Sequence, residues 1–448
     1  PRAMPRPKSA AVILSQSCIA PLPQMVAGHA NRRLRIGQSR LPAHISPMDQ
    51  DIIIVGGGLN GPTLALALAA SGFRVAVIDA MPRASFAKTF DGRSYALALA
   101  STKLLSALGI WDGIKNACQP MLEIKATDGR AGEGPAPYFL HFDHAEIEEG
   151  PMGYMAEDRV LRAALLDAID ADDRITCMYG RTVVTQTAGS VTLDNDTTLT
   201  ARLIVGCDGR ASGTAERAGI KRVGWNYDQT ALVCAIEHEK PHNGIAHQFF
   251  MPAGPLAILP LPGNRSSIVW SERTDAAAQI NALPEDEYLD ILRPRFGSFL
   301  GEIKLAGARF TYPLNLTLAQ NLTAPRVALV GDAAHGIHPI AGQGLNLGYR
   351  DIGALAEVVT LAQRRGEDIG AVDVLDRYAR WRRFDTMTLA VGTDVINKLF
   401  SNDNPILRAA RDFGMGAVQS MPGLRRGFIR QAAGLTGDLP QLLRGRPL

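Results

Sequence analysis

A chain of 448 residues, 46% hydrophobic and 20% charged, has enough apolar material for two or three domains around a sizeable core, which excludes a disordered or fibrous protein. Its formal charge of +3 hides an asymmetry: residues 1–48 hold seven Lys/Arg and no acid, leaving 40 basic against 44 acidic residues, so nothing points to nucleic acid. Five scattered cysteines without a Cys-x-x-Cys pair indicate neither a disulfide framework nor a thiolate metal site, and the His141/His144 and His335/His338 pairs lack further ligands, so no metal is expected.

Residues 1–47 contain seven prolines and no sustained period, and Met48 stands just before the first strand pattern. This leader is expected to lie outside the fold, so its deletion should leave folding intact. Two origins stay open: a disordered tail or upstream read-through, and an acid-free, Arg-containing mitochondrial transit peptide whose prolines interrupt a helix. No run of about 18 apolar residues occurs, so no spanning helix is expected.

Asp51–Val55 reads as a buried strand, followed by Gly56-Gly57-Gly58-Leu59-Asn60-Gly61, a helix over Pro62–Ser71, a turn at Gly72, and a strand over Arg74–Ile78. A lone GxGxxG is weak, but here strand, helix, second strand and terminal acid occur in register and point to a dinucleotide-binding βαβ unit. Gly56 permits the tight turn, Gly58 lets backbone approach a pyrophosphate, and Gly61 lets the helix sit on the strand. Asp79 has the reach and charge to accept both hydroxyls of an adenosine ribose.

A helical run follows from Ser101 to Trp111, and residues 129–151, rich in Gly, Pro and acids, read as a connection or an insertion. Asp158–Ile169 returns to helical spacing. Thr182–Gln186, Val191–Leu193 and Leu199–Gly206 read as strands, the last leading into Cys207-Asp208-Gly209-Arg210. From Val223 to about Thr311 the pattern alternates in short strands, at Thr230–Glu237, Ala246–Phe250, Leu256–Pro260, Ser267–Ser271 and Ala308–Tyr312, an antiparallel signature. Such a sheet can form an apolar floor for a flat ring, although its residues equally suit a core.

Val327–Val330 is a short apolar strand running into Gly331-Asp332, a loop of small residues, and a helix beginning near Gly344. Gly331, Gly342 and Gly344 let backbone lie against a flat ligand, and the helix start aims N–H groups at it. Asp332, at a strand's C-terminal end, is placed to accept bonds from hydroxyls. A flavin cradle accounts for this loop, and it decides the first motif in favour of FAD over NAD. The tail from Asp373 is helical and ends basic, with seven Arg and two Asp between Pro405 and Leu448.

The stretch from His338 to Asp351, HPIAGQGLNLGYRD, resembles the signature of the ubiquinone-biosynthesis hydroxylases, a branch of the FAD-dependent aromatic monooxygenases like para-hydroxybenzoate hydroxylase. The likeness extends over 51–448. It implies an α/β fold: a Rossmann-like FAD-binding domain (49–128, 152–222 and 313–366), an inserted antiparallel-sheet substrate domain (223–312), residues 129–151 as connection or part of that insertion, and a helical C-terminal region (367–448), after a leader of 1–48. It implies FAD and NADPH or NADH as co-substrate, with O2 inserted into a polyprenylated phenol.

By that resemblance Arg93 approaches the flavin, Arg162 lies on the pyrophosphate side, and Asp208 and Gly209 serve FAD and the nicotinamide. Arg93 is also open to reading as a solvated loop charge, and Arg162 as a helix-surface ion pair. One departure is Ala215, where the family has Arg; Arg217 follows two residues later. Gly331, Asp332, Gly342, Gln343, Gly344, Leu345 and Asn346 hold the flavin. The N–H groups near Gly344, Leu345 and Asn346 stabilise charge on its pyrimidine side, and the Pro339 carbonyl orients a substrate hydroxyl. No residue is singled out as a catalytic base.

Two other readings remain, a hydroxylase of a small soluble phenol or benzoate and a non-catalytic flavin-binding partner in a biosynthetic complex. The expected location is the bacterial cytoplasm, peripheral to the inner membrane, or the mitochondrial matrix side if the leader directs import. Contacts with other ubiquinone-biosynthesis proteins are implied too. The Arg-rich tail, with Arg425, Arg426 and Arg430 beside Leu424, Phe428 and Ile429, is the expected membrane contact, a solvated helix end being the alternative.

Overall fold

The computed structural model describes residues 50–448 apart from 87, 88, 131, 133, 339–341, 402–413, 415 and 417. The leader therefore lies outside the described residues, as do Pro339 and its neighbours Ile340 and Ala341. Among the described residues the strands form four sheets. The central one runs in the order Thr323–Ala324, Val327–Leu329, Leu203–Gly206, Ile52–Val55, Val75–Asp79, Ile175–Tyr179, parallel throughout except at the outer pair.

Both faces of this sheet are covered, which is why its strands read as unbroken apolar runs. Ile52, Ile54, Val75, Val77, Leu203 and Val205 share one core with residues of helices Asn60–Ala70, Asp158–Asp170 and Gln343–Arg364. Ile53, Val55, Ala76, Ile78 and Ile204 pack on Val183, Val191, Leu193 and Leu199 of a small antiparallel sheet. The expected single strand Leu199–Gly206 is in fact two. Ala201 N bonds to Gly189 O in the small sheet and Arg202 N to Asp51 O in the central one, so the chain changes sheet between them.

The large sheet runs His335–Gly336, Phe310–Ala319, Arg222–His238, Arg265–Arg273, Gly254–Leu261, Ile245–Met251, Glu123–Arg130, Gly134–Asp143, with Ile303–Leu305 also paired to Arg222–His238. Within 129–151, Gly134–Asp143 is thus a strand, hairpinned to Glu123–Arg130. It forms the sheet's outer edge, where Pro135 and Pro137 are tolerated because one side needs no ladder donors. Helices Thr274–Ala282 and Glu285–Phe296, not anticipated from the sequence, cover one face. Tyr288, Leu289, Leu292 and Phe296 pack there on Leu232, Cys234, Ile236, Ile268 and Trp270, at roughly 1.5–3 kcal/mol for each large apolar side chain buried.

The long helix Val372–Phe400 ties the two sheets together. Tyr378 Oη donates to Leu329 O at 2.7 Å in the central sheet, and Asn397 Nδ2 donates to Gln229 Oε1 at 3.0 Å beside the irregularity in Arg222–His238. The basic helix Pro422–Ala432 departs from expectation. Arg425 Nε bonds Glu146 at 2.7 and 2.9 Å, Arg430 pairs with Glu149, and Ile429 is buried with Ile147 and Met152. Two of the three arginines expected at a membrane thus hold this helix to the 144–152 segment.

Candidate functional site

Four neighbouring strands of the central sheet deliver their C-terminal ends to one place. Val75–Asp79 ends on Asp79, Ile52–Val55 on the Gly56 turn, Leu203–Gly206 on Asp208, and Val327–Leu329 on Gly331 and Asp332. This is the edge of a parallel sheet at which ligands bind. The turns touch: a Cβ built on Gly56 would lie 2.4 Å from Cys207 O, and one on Gly331 2.1 Å from Asn60 Nδ2. Asp332 pairs with Arg210 Nε at 3.3 Å, joining the third and fourth turns.

The glycines fall into two classes. At Gly61 a Cβ would lie 1.9 Å from Gly56 O, so this glycine, with Gly56 and Gly331, is required by the chain itself. At Gly58, Gly209 and Gly344 a Cβ meets no atom of the described residues within 4 Å. Those three positions border open space at the sheet's edge, and this bare backbone fits an FAD laid across it. The buried Asn60 Oδ1, without a partner among the described residues, sits at the same place, between Gly331 and Gly348.

Asp79 is held firmly. Oδ1 accepts from Met81 N at 2.6 Å and Oδ2 from Gly57 N. It therefore orders the first glycine turn as well as facing outward from the strand end. Asp79→Ala should weaken FAD binding about 10–100-fold, the loss of charge-assisted bonds of roughly 1.5–3 kcal/mol. Titration of the apoprotein by flavin fluorescence checks this, and unchanged affinity would remove Asp79 from the site.

The helix Gln343–Arg364 starts at Gly342, in a left-handed conformation with φ +62°, and Gly342 has no side chain to cap it. Its first-turn amides at Gln343, Gly344 and Leu345 thus lie beside the open space at Gly344 with the positive end of the helix dipole. Asn346 has another task. Its Oδ1 accepts from Ala98 N at 2.8 Å and Ser101 Oγ at 2.7 Å, and its Nδ2 donates to Ala96 O at 2.9 Å and Gly342 O at 3.1 Å. The side chain is fully used in fixing the helix start to Ser94–Ala98 and the helix behind it.

Arg162 is tied into its own helix. It grips Asp158, one turn earlier, at 3.0 and 2.8 Å, with Phe86 under its guanidinium. Arg93 shares Asp158 at 3.7 Å, bonds Asp91 at 2.7 Å and stacks over Phe310 of the large sheet. The two arginines are brought together by one buried carboxylate, with Tyr95 as a third donor at 3.0 Å. The Asp208 carboxylate accepts from Ser212, Thr214 N and Thr214 Oγ1, so it caps its own loop, while Gly209 (φ +77°) faces open space.

His338 lies at the entrance to residues 339–341, against Tyr227 at 5.3 Å between ring centroids. Burial, then Arg210, pushes its pKa down to about 4; burial, then Lys125, does the same to His247 in the large sheet. Both imidazoles are neutral in the fold but take a proton near pH 6.5 when unfolded. Their stabilising contribution is therefore complete above pH 6.5 and is lost as pH falls toward about 4. By pH 5 each should cost about 2 kcal/mol of stability. Urea midpoints at pH 7.5 and 5.0 measure it, and His338→Gln should reduce the difference; equal midpoints in the wild type would contradict it.

The sequence reading missed what lies behind this loop. Asp351, fully buried, accepts from Gly331 N at 3.0 Å, His335 Nε2 at 2.6 Å and Arg382 Nε at 2.7 Å. Arg382 continues to Asp385 at 2.6 Å, and Asp385 to Arg350 at 2.9 Å. Burial alone would raise the Asp351 carboxyl, but His335 and Arg382 outweigh it and hold it below the ordinary carboxylate value. A charged residue inside a long helix gives no sequence signal for this; a short run of small residues around an unexplained His–Asp pair is the nearest to one.

A separate cavity of about 560 Å3 opens between Leu318–Pro325 and the long helix, lined by Leu318, Leu322, Ala334, Leu375, Ala379 and Met387 among others. No glycine-turn residue lines it.

Known proteins match this arrangement. The family model described as FAD binding domain matches residues 49–389. The chain is 46% identical to ubiquinone hydroxylase UbiL of Rhodospirillum rubrum over 406 residues, 89% of this chain and 93% of that protein. It is 34% identical to 3-demethoxyubiquinol 3-hydroxylase of Escherichia coli over 394 residues, 86% of this chain and 98% of that one. The crystal structure of p-nitrophenol 4-monooxygenase PnpA from Pseudomonas putida superposes with a TM-score of 0.72 at 20% identity, over 87% of this chain and 98% of its own, a likeness of fold.

Proposed function

The chain belongs to the FAD binding domain family and is a FAD-dependent monooxygenase; on that premise we propose that it hydroxylates the aromatic ring of a polyprenylated phenol in ubiquinone biosynthesis, using NAD(P)H and O2. One observation carries the reading from fold to substrate. The strand His335–Gly336, which leads from the Gly331 turn toward residues 339–341, is hydrogen-bonded to Thr317–Leu318 as the outer strand of the large sheet. A ring laid on that sheet would thereby lie in register with the Gly331 turn at the edge of the central sheet.

FAD, when bound, supplies the redox chemistry, accepting reducing equivalents from NAD(P)H and activating O2 for transfer to the ring. The chain's own groups bind, orient and exclude water. Gly58, Gly209 and Gly344 leave room for the cofactor, and Asp79 orders the turn at its adenosine end. Amides at Gln343, Gly344 and Leu345 favour negative charge beside them because they lie at the start of their helix. Asn346 and Asp351 hold that helix and the Gly331 turn in place. Arg93, between Asp158 and Phe310, links the helix Asp158–Asp170 to the large sheet. For Pro339 the proposed contact between its carbonyl and a substrate hydroxyl stays a proposal, since the residue lies outside the described ones.

No helix among the described residues is long and apolar enough to cross a membrane. Contact with a bilayer, which a long-tailed substrate requires, is therefore proposed as peripheral. Expression of residues 48–448 in strains each lacking one ring-hydroxylation step tests the function. Recovery of the quinone in one of them is the expected result, and failure in all of them, with protein that still contains FAD, would overturn the substrate assignment.

A further inference from the structure

On the long helix Val372–Phe400, Phe384 is 77% exposed, Met387 49%, Val391 55%, Val395 53% and Leu399 37%. At 3.6 residues per turn these five, with exposed Thr388, fall within about 120° of one another, and at 1.5 Å per residue they form a strip roughly 22 Å long. The acids at its margins are turned into the fold: Asp385 accepts from Arg350 and Arg382, and Asp394 from Trp225 Nε1 at 3.2 Å and Tyr227 Oη at 3.0 Å. Exposed Arg380 precedes the strip by one turn on the same side, with exposed Arg383 beside it. Trp225, 47% exposed, borders the strip through its bond to Asp394. Met387 and Arg383 also line the 560 Å3 cavity, so the apolar surface continues inward.

This face has an uncharged middle and cations at its start. A second copy of the chain is a poor cover. Parallel pairing of two strips sets Arg380 against Arg380, cation toward cation, and antiparallel pairing offers Arg380 and Arg383 no acid from the strip's margins, since Asp385 and Asp394 are already bonded within the fold. An anionic lipid surface satisfies the apolar middle and the cationic start together. We propose that this strip is the face on which the protein lies at an anionic bilayer, Phe384, Met387, Val391 and Val395 entering the headgroup layer and Arg380 and Arg383 meeting lipid phosphates. The proposal deepens the function proposed above and rests on it for its biological sense, because a long-tailed phenol resides in the bilayer.

The test is flotation of the FAD-loaded full chain with vesicles of phosphatidylcholine alone and with roughly 30% phosphatidylglycerol, at low and high salt. Binding should favour the anionic vesicles at least tenfold and weaken with salt. Val391→Asp with Val395→Asp should lower it at least tenfold with FAD content and melting unchanged, and Arg380→Gln with Arg383→Gln several-fold. The single change Phe384→Ser serves if the double variant loses FAD. Equal vesicle binding by the wild type and these variants overturns the proposal. So does a wild-type dimer in light scattering that becomes a monomer in Val391→Asp with Val395→Asp. Failure to hydroxylate a short-tailed, detergent-soluble phenol, with vesicle binding intact, would count against the proposed function and leave the docking face standing.

Discussion

Asparagine in place of Asp351 should destabilise the protein by about 3–5 kcal/mol, the cost of removing one partner from a buried ion pair. Three donors converge on this carboxylate, the Gly331 amide, His335 and Arg382, and an amide side chain offers a single acceptor atom and brings an N–H of its own. Arg382 has a side chain 1% exposed and would keep only Asp385. Against a total stability of roughly 5–15 kcal/mol, this is a large fraction. Urea unfolding followed by far-UV circular dichroism measures it. Adding Arg382→Met should restore part of the loss, since an apolar replacement for both partners leaves no unpaired charge. A single variant within about 1 kcal/mol of wild type would show that the network carries little of the loop's stability.

The second large effect separates cofactor from fold. Gly58→Leu should abolish detectable FAD in the purified protein, an affinity loss of at least about 100-fold or roughly 2.7 kcal/mol, while the apoprotein melts within a few degrees of wild type. The reason is geometric: a Cβ at Gly58 meets no atom of the described residues within 4 Å, so the new side chain occupies only the space left for the cofactor. Gly61→Ala makes the contrasting control. Its Cβ would lie 1.9 Å from Gly56 O, and the apoprotein itself should be destabilised. A yellow Gly58→Leu protein with stoichiometric FAD would move the cofactor elsewhere.

The α/β class and the antiparallel sheet were legible because burial writes itself into sequence. Ile52–Val55 has both faces covered and is uniformly apolar, whereas Arg265–Arg273 turns Ile268 and Trp270 to one core and carries polar residues at both ends. The change of sheet at Ala201-Arg202 was not legible, because apolar residues flank it on both sides and only the hydrogen-bond partners differ. Gly134–Asp143 was hidden by its prolines, which an edge position permits. Within the site, the glycine turns were visible as motifs, but which glycines serve the chain and which face open space was not, since that depends on what lies across from each. Asp351 and the side chain of Asn346 were invisible for the same reason: their partners lie 20, 16 and 31 residues away for one and about 250 for the other.

The discontinuity of the central sheet has a consequence for biosynthesis. A ribosome produces Ile52–Val55, Val75–Asp79 and Leu203–Gly206 first, yet Val327–Leu329, which completes the pairing of Leu203–Gly206, emerges about 120 residues after Gly206. At about 5–20 residues per second, that interval lasts roughly 6–24 s. Through it the nascent chain carries an unpaired, fully apolar strand edge at Leu203–Gly206, the kind of edge that invites aggregation. Heterologous production should therefore depend on chaperone supply more than on the stability of the finished protein. Arrested chains ending before Gln343 should carry no flavin, because the turn and helix start that would receive it have not yet been made.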